Sequence, residues 1–324
     1  MTKFDEIKES ISAELFRLNE IINCSLSSNS HLLNKVVATY LKTKGKQIRP
    51  IIVILSAKFF SNINEETLHG AAAIELLHNA SLIHDDVVDE TKKRRGNPTI
   101  NSIWDNHIAV LVGDFFVSNA LSCAIQSGDM RVIKAISSLG KELSTGELDQ
   151  IDIAKHHSIT EENYYHIIGK KTASLFKSCV QVGGYTAKAG QSDIDNLARF
   201  VELLGLCFQI KDDIFDYFSD SEVGKPTGND LREGKVTLPL IHALQNTGSP
   251  LHEEMKELVT HDTLTNSEIE RLIEFAKAEG GIEYAYSSME RLKEEACEIL
   301  APYPDSEAKR SFIGLFDFII KRHN

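Results

Sequence analysis

The stretch SLIHDDVVDETKKRRGNPT, residues 81–99, ends an apolar run on Asp85, Asp86 and Asp89 and follows them with Lys92, Lys93, Arg94 and Arg95. A second stretch, QIKDDIFDY (209–217), repeats the aspartate pattern with Asp212, Asp213 and Asp216. On a helix, residues four apart share a face, one turn or about 5.4 Å along the axis. Asp85 therefore stacks over Asp89 and Asp212 over Asp216, while Asp86 and Asp213 point about 100° away. Like charges at this spacing repel, and aspartate near a helix C-terminus opposes the macrodipole. A hard divalent cation compensates, and Mg²⁺ favours carboxylates combined with substrate phosphates. A solvated acidic helix end is the plain reading of one such motif. Two copies, each closing an apolar helix, argue against it. The cations beyond the aspartates then suggest a bridged diphosphate, with Mg²⁺ on one side of it and Arg and Lys on its remaining oxygens.

Two long helices must carry these carboxylates. AAAIELLHNASLIHDDVVDE and LARFVELLGLCFQIKDDIFDYF both place apolar residues at helical spacing, without strand-like alternation. No proline falls between Pro98 and Pro226, and that interval is rich in Leu, Ile, Ala, Lys and Glu. No Gly-flanked β-branched run demands a sheet. The expectation is an all-α chain of ten or more helices, with residues 1–324 forming one domain, since no low-complexity linker divides it. In such a bundle the two aspartate helices can face each other across a cavity.

Composition narrows the classes further. Hydrophobic residues make up 42% of the chain, enough for a sizeable core, and the net charge of -12 argues against non-specific nucleic-acid binding. The five cysteines are far apart and form no CxxC pair, which reads as a reduced, cytoplasmic protein with mostly buried thiols. The N-terminal MTKFDEIKESISAELFRL is amphipathic and lacks the apolar core of a signal peptide. No run is read as approaching the ~20 apolar residues of a membrane span, which leaves room only for loose membrane association.

Cations recur elsewhere. TKGKQIRP (43–50) holds Lys46 and Arg49, GKKTASLF (169–176) holds Lys171 beside Thr172, and GKPTGNDLREGKVTLPL (224–240) holds Lys225 and Lys235. None is a Walker-type phosphate loop. Each alone is a solvated basic patch, and their force lies in the combination.

That combination resembles the trans-type isoprenyl diphosphate synthases, the polyprenyl synthetase family. The motifs GKQIRP, LLHNASLIHDDVVDETKKRRG, GKKTASLF, FQIKDDIFDY and GKPTGNDLREGKVTLP occur in the family's order and approximate spacing, over most of the chain. The resemblance implies an all-α bundle around a deep central cavity, usually a homodimer. It implies that Lys46, Arg49, His78 and Arg95 hold the diphosphate of isopentenyl diphosphate. Asp85 and Asp89, with Asp86 in support, would bind Mg²⁺ on one side of the allylic diphosphate. Asp212, with Asp213 and Asp216 nearby, would bind it on the other. Arg94, Lys171, Gln209, Lys225 and Lys235 would contact the allylic diphosphate, and Thr172 and Gln209 would also present oxygens to a developing carbocation. His78, buried on an apolar helix, has packing as its plain reading, but it lies two turns before Asp85 on roughly the same face. His84 is read as supporting or merely packed. Lys44 departs from the family, many members of which carry glycine there, but the Lys46–Arg49 spacing is kept.

The reaction implied is head-to-tail condensation. The allylic C–O bond breaks as its diphosphate is neutralised. The double bond of isopentenyl diphosphate attacks the cation, and proton loss gives a chain longer by five carbons. The 224–234 loop is a plausible lid to exclude water.

Product length is read from the helix before Asp85, because an isoprene unit is about as long as one helical turn, ~5.4 Å. Ala80 and Ser81 lie one turn up, then Leu77, then Ile74 and Ala73, and no aromatic blocks this face. Short-chain members of the family place a bulky aromatic here. The expectation is six or more isoprene units, a quinone side-chain precursor, with Phe115 or Phe116 on a facing helix as another stop. The alternatives are a short-chain farnesyl or geranylgeranyl diphosphate synthase and a non-catalytic subunit of a two-subunit synthase. A class I terpene cyclase fits less well, since both aspartate motifs are complete and the Lys46–Arg49 pair serves a second diphosphate.

Overall fold

The computed structural model describes residues 2–42, 45–94, 96–157, 159–218, 227–261 and 263–322, and helices dominate it. The N-terminal helices are α1 (Lys3–Glu9), α2 (Ser12–Ser25), α3 (His31–Tyr40) and α4 (Ile48–Phe60). The two long helices α5 (Glu65–Val88) and α7 (Asn106–Gln126) follow, joined by a two-residue antiparallel ladder of β1 (Lys93–Arg94) and β2 (Asn97–Pro98) and by short α6 (Ile100–Ile103). Next come α8 (Met130–Lys155), α9 (Glu161–Ile168), α10 (Ser174–Thr186) and α11 (Gln191–Phe215). The C-terminal part holds α12 (Asn229–Arg232), α13 (Leu238–Ala243), α14 (His252–Leu258), α15 (Asn266–Ala278), α16 (Gly281–Leu300) and α17 (Glu307–Lys321). The all-α expectation holds, and the small ladder is the strand pairing among the described residues.

Local chemistry sets the bounds of the two aspartate helices. Asn64 caps α5 by accepting the Thr67 amide at 2.8 Å. At the other end Asp89 is the C-cap, and Glu90 turns the chain away at φ 51°. Gly70 allows α10 to come close, since a Cβ there would lie 2.4 Å from Val182 Cγ1. Helices α5 and α11 both pack against α10, and neither packs extensively on the other. This arrangement separates the two aspartate ends laterally while giving them a common support. One apolar core runs from Phe4 to Ile320.

One expectation is corrected. Among the described helices α7, at 21 residues, is long and apolar enough to cross a membrane. It is apolar for another reason: Gly113, Phe116 and Ala120 are buried on one side, while Val110, Leu111, Leu121 and Ile125 face outward on the other. The chain thus has an apolar helix with two apolar faces, one of them left exposed.

Candidate active site

The first aspartate motif closes α5, and its three carboxylates diverge as the helical offset requires. Asp85 is pushed up to about 6, by burial first and then by Glu147 and Asp89, with Lys171 and Arg94 opposing. Asp86 is turned aside and buried, and its Oδ1 accepts the Arg94 Nε–H at 2.8 Å. Burial raises the Asp86 pKa above its ordinary value, and the Arg94 guanidinium opposes the shift. Arg94 is therefore already engaged by the motif it follows. Asn101 Nδ2 donates to the Asp86 carbonyl at 3.0 Å and fixes the return of the chain. His84 packs between α5 and α7, where its Nε2 lies 3.5 Å from Asp114 Oδ1 and Gly113 leaves room for its ring.

The second motif closes α11. Asp212 pairs with Arg322, whose guanidinium lies over the Phe208 ring at 4.4 Å and also donates to the Phe208 carbonyl at 3.1 Å. Asp213 is buried and accepts from Tyr164 and Gln209. Asp216 accepts the amides of Asn229 and Asp230, both at 3.0 Å, and so anchors the start of α12. Asp230 in turn is held well above the ordinary carboxylate range, by burial and by Asp213 and Asp216.

Between the motifs lies a break in helix periodicity. Residues Gly169–Ala173 form one π-helical turn that carries Lys171 and Thr172. Two glycines make room for it. A Cβ at Gly146 of α8 would lie 2.9 Å from Lys170 Cβ, and one at Gly205 of α11 would lie 2.9 Å from Ala173 Cα. Lys171 pairs with Glu147 and donates to Gln150 Oε1 at 2.9 Å, while Thr172 Oγ1 donates to Gln209 Oε1 at 2.8 Å. The turn therefore ties Asp85's surroundings to α11. Lys235 makes a second tie: its Nζ is 2.5 Å from Glu233 Oε2 and 3.7 Å from Asp89 Oδ2. Burial works against its charge, yet Glu233, Asp89 and Asp230 hold its pKa above the ordinary value.

The remaining basic residues gather on aromatic rings near α17. Lys46 lies over Phe318 at 5.4 Å, and Arg49 lies over Phe176 at 5.8 Å and Phe208 at 5.6 Å. His78 is buried in α5. Arg95 and Lys225 lie outside the described residues, as does Lys44. On the face above Asp85, Ala80, Leu77 and Ile74 are buried, and Ser81 Oγ turns onto the His78 carbonyl at 2.9 Å. Phe116 is fully buried against the edge of Tyr40, with ring centroids 5.5 Å apart, and Phe115 is half-buried.

Arg322, Tyr164, Asp230 and Glu147 join the site without having been read as part of it. Arg322 and Glu147 sit in no motif. Asp230 lies within GNDLREGK, and Tyr164 lies two turns before Lys171, so both carried a signal.

The sequence that brings two aspartate helix ends and a lysine-bearing bulge together also matches a family profile. The profile described as Polyprenyl synthetase matches residues 30–276. The chain belongs to this family. It is 33% identical over 319 residues to octaprenyl diphosphate synthase of Escherichia coli, covering 98% of each chain. A crystal structure of polyprenyl synthase from Caulobacter crescentus, complexed with calcium and isoprenyl diphosphate, superposes with a TM-score of 0.92 at 28% identity, covering 99% of this chain and 98% of that one. Geranylgeranyl pyrophosphate synthase from Bacteroides thetaiotaomicron superposes with a TM-score of 0.86 at 39% identity, covering 99% of each chain. Family membership makes the chain a trans-prenyltransferase that elongates prenyl diphosphates.

Proposed function

We propose that this chain condenses isopentenyl diphosphate head-to-tail with an allylic diphosphate, with Mg²⁺ as cofactor, and builds an all-trans product of six or more isoprene units for a quinone side chain. The observation that carries the reading is the pair of aspartate helix ends, tied to each other by the Lys171–Thr172 bulge and by Lys235. The donors are carboxylate oxygens, the type a hard cation takes, and among the described residues no three His, Cys, Asp or Glu side chains converge on one point. Asp85 and Asp89 sit among further carboxylates, and Asp212 is balanced by the Arg322 guanidinium. These three would hold the metal, with Asp86, Asp213 and Asp216 in support; Asp212 is engaged by Arg322 as those three are by their own donors. When bound, Mg²⁺ supplies charge neutralisation to the leaving diphosphate.

The chain's own groups do the rest. Lys171 and Lys235, with Lys225, contact the allylic diphosphate, and Arg94 acts from its seat on Asp86. Lys46 and Arg49, with His78 and Arg95, hold isopentenyl diphosphate. Thr172 and Gln209 set oxygen dipoles beside the developing cation. No side chain is assigned as general base, and the departing diphosphate takes the proton. The whole chain works as one domain.

Two further parts belong to this reading. The family resemblance implies a homodimer, and the outward face of α7, with Val110, Leu111, Leu121 and Ile125 exposed, is the surface this reading gives to the second copy. The buried thiols of Cys123, Cys179 and Cys207 suit a cytoplasmic enzyme, one that associates loosely with membrane as its lipid product leaves. A shorter product is the second reading, favoured by the likeness to the Bacteroides geranylgeranyl pyrophosphate synthase. The small Ala80 and Ser81 favour the longer one.

The test is incorporation of labelled isopentenyl diphosphate by the purified chain with farnesyl diphosphate and Mg²⁺. Product that forms and disappears with EDTA supports the reading. No condensation with any allylic primer sinks it in favour of a partner-dependent subunit.

A further inference from the structure

Thr172, Gln209 and Asp213 form a hydrogen-bonded chain that ends on a residue outside every motif. Thr172 Oγ1 donates to Gln209 Oε1 at 2.8 Å, and Gln209 Nε2 donates to Asp213 Oδ1 at 2.8 Å. The Tyr164 hydroxyl of α9 donates to Asp213 Oδ2 at 2.6 Å. Tyr164, Thr172 and Asp213 are 6%, 7% and 5% exposed and Gln209 is half-buried, so water competes least for the Tyr164–Asp213 link.

The direction of this chain follows from what each group can do. The Gln209 NH₂ faces Asp213 and its carbonyl faces Thr172, the arrangement in which the carboxylate accepts and the hydroxyl donates. Reversing the amide would bring the Gln209 carbonyl oxygen against Asp213 Oδ1, two acceptors with no proton between them, and leave Tyr164 as the donor the carboxylate keeps. Asp213 thus decides which end of Gln209 points toward Thr172. Asp213 itself sits under repulsion from Asp212, Asp216 and Asp230. Its carboxylate keeps its place through the two donors that α9 and α11 supply, and the Tyr164 hydroxyl is the one from outside its own helix.

We propose that Tyr164 is a positioning residue for the condensation, locking Asp213 and through it the direction of the Gln209 carbonyl. The inference rests on the proposed function, in which Thr172 and Gln209 lie beside the allylic group. In that reaction the C–O bond breaks, its electron pair leaves with the diphosphate, and C1 carries the positive charge. The electron pair of the isopentenyl double bond then forms the new C–C bond, and the tertiary cation this leaves on the isopentenyl unit loses a proton to the departed diphosphate and regains a double bond. The competing step is attack by a water oxygen, which loses a proton and leaves a prenyl alcohol. A carbonyl dipole aimed at C1 stabilises the cation until the double bond reaches it, whereas a misdirected amide slows ionisation and leaves the cation open to water.

The experiment compares full-length wild type, Tyr164→Phe, Gln209→Ala and the double variant with isopentenyl diphosphate, farnesyl diphosphate and Mg²⁺. It reads kcat, the KM for isopentenyl diphosphate, and the ratio of farnesol to elongated product. Loss of one oriented hydrogen bond predicts a kcat for Tyr164→Phe lower by on the order of tenfold. The KM should stay within about twofold, because Lys46 and Arg49 are untouched. The farnesol share should rise, and the double variant should be no worse than Gln209→Ala, since both act through one group. Wild-type kcat and farnesol share in Tyr164→Phe, or multiplying losses in the double variant, overturn the role of Tyr164 while leaving the proposed function standing. A wild-type chain that does not condense removes both. Should Tyr164→Phe melt below the assay temperature, Asp213→Asn carries the same test. It keeps the shape and the Tyr164 contact but loses one accepting oxygen, and an unchanged farnesol share there contradicts the inference.

Discussion

Asp85 is a largely buried carboxylate with Glu147 and Asp89 pressing on it, and its pKa rises from 3.8 to about 6. In the metal-free protein the folded state therefore holds a proton that the unfolded state releases, across a window from about pH 4 to about 6. Stability from this group falls as pH rises through that window, and the full penalty stands at neutral pH. A divalent cation removes the penalty by taking the place of the proton. The rise in melting temperature on adding Mg²⁺ should therefore be small near pH 4.5 and larger at pH 7, read by thermal unfolding with and without EDTA. An equal shift at both values would contradict the placement of the cation at Asp85. At this scale much of the site was legible in the sequence. The i, i+4 spacing pairs Asp85 with Asp89 and turns Asp86 aside, whereas the hold of Arg94 on Asp86 was not read, Arg94 being expected on the allylic diphosphate. Arg322 was not legible, because its partner Asp212 lies 110 residues away and no local spacing encodes that contact. Tyr164 stood two turns before Lys171 and passed for an ordinary helix residue.

The elements add a second constraint. The sequence sets Lys171 beside Thr172 and says nothing of the backbone that carries them. The structure gives them a π turn, with Thr172 buried on Gln209 and Lys171 reaching Glu147 and Gln150. That turn depends on Gly146 and Gly205, which come from other helices, so no pattern within GKKTASLF could disclose it. Gly205→Ala would place a Cβ 2.9 Å from Ala173 Cα, a contact between groups with no flexible end to yield. The variant should lose about 1–3 kcal/mol of stability. It should also lose turnover, because the bulge carries Thr172 toward Gln209. Denaturant unfolding and steady-state kinetics check both, and an unchanged midpoint with wild-type kcat would show that the bulge adapts freely. The second aspartate helix shows the same division. Its end on Asp216 was legible, whereas the anchoring of Asn229 and Asp230 on Asp216 depends on how a distant loop returns.

At the scale of the whole molecule, the all-α class followed from helical spacing and the proline-free interval, and it holds. The outward face of α7 did not follow, because a helix apolar on both sides gives no stripe to read. If that face docks a second copy, Leu111→Glu, at a residue 67% exposed, should halve the mass seen by light scattering without lowering the melting point of the monomer fold. Wild-type mass in the variant would place the contact elsewhere. The central claim is the proposed growth of prenyl chains from Asp85 along the α5 face marked by Ala80, Leu77 and Ile74. The most direct measurement resolves product chain lengths from farnesyl diphosphate, isopentenyl diphosphate and Mg²⁺ for wild type and Ala80→Phe side by side. Products of six or more units in wild type, shortened by several units in Ala80→Phe, are expected. Geranylgeranyl diphosphate as the wild-type end product, or the same length from both proteins, would contradict growth along that face.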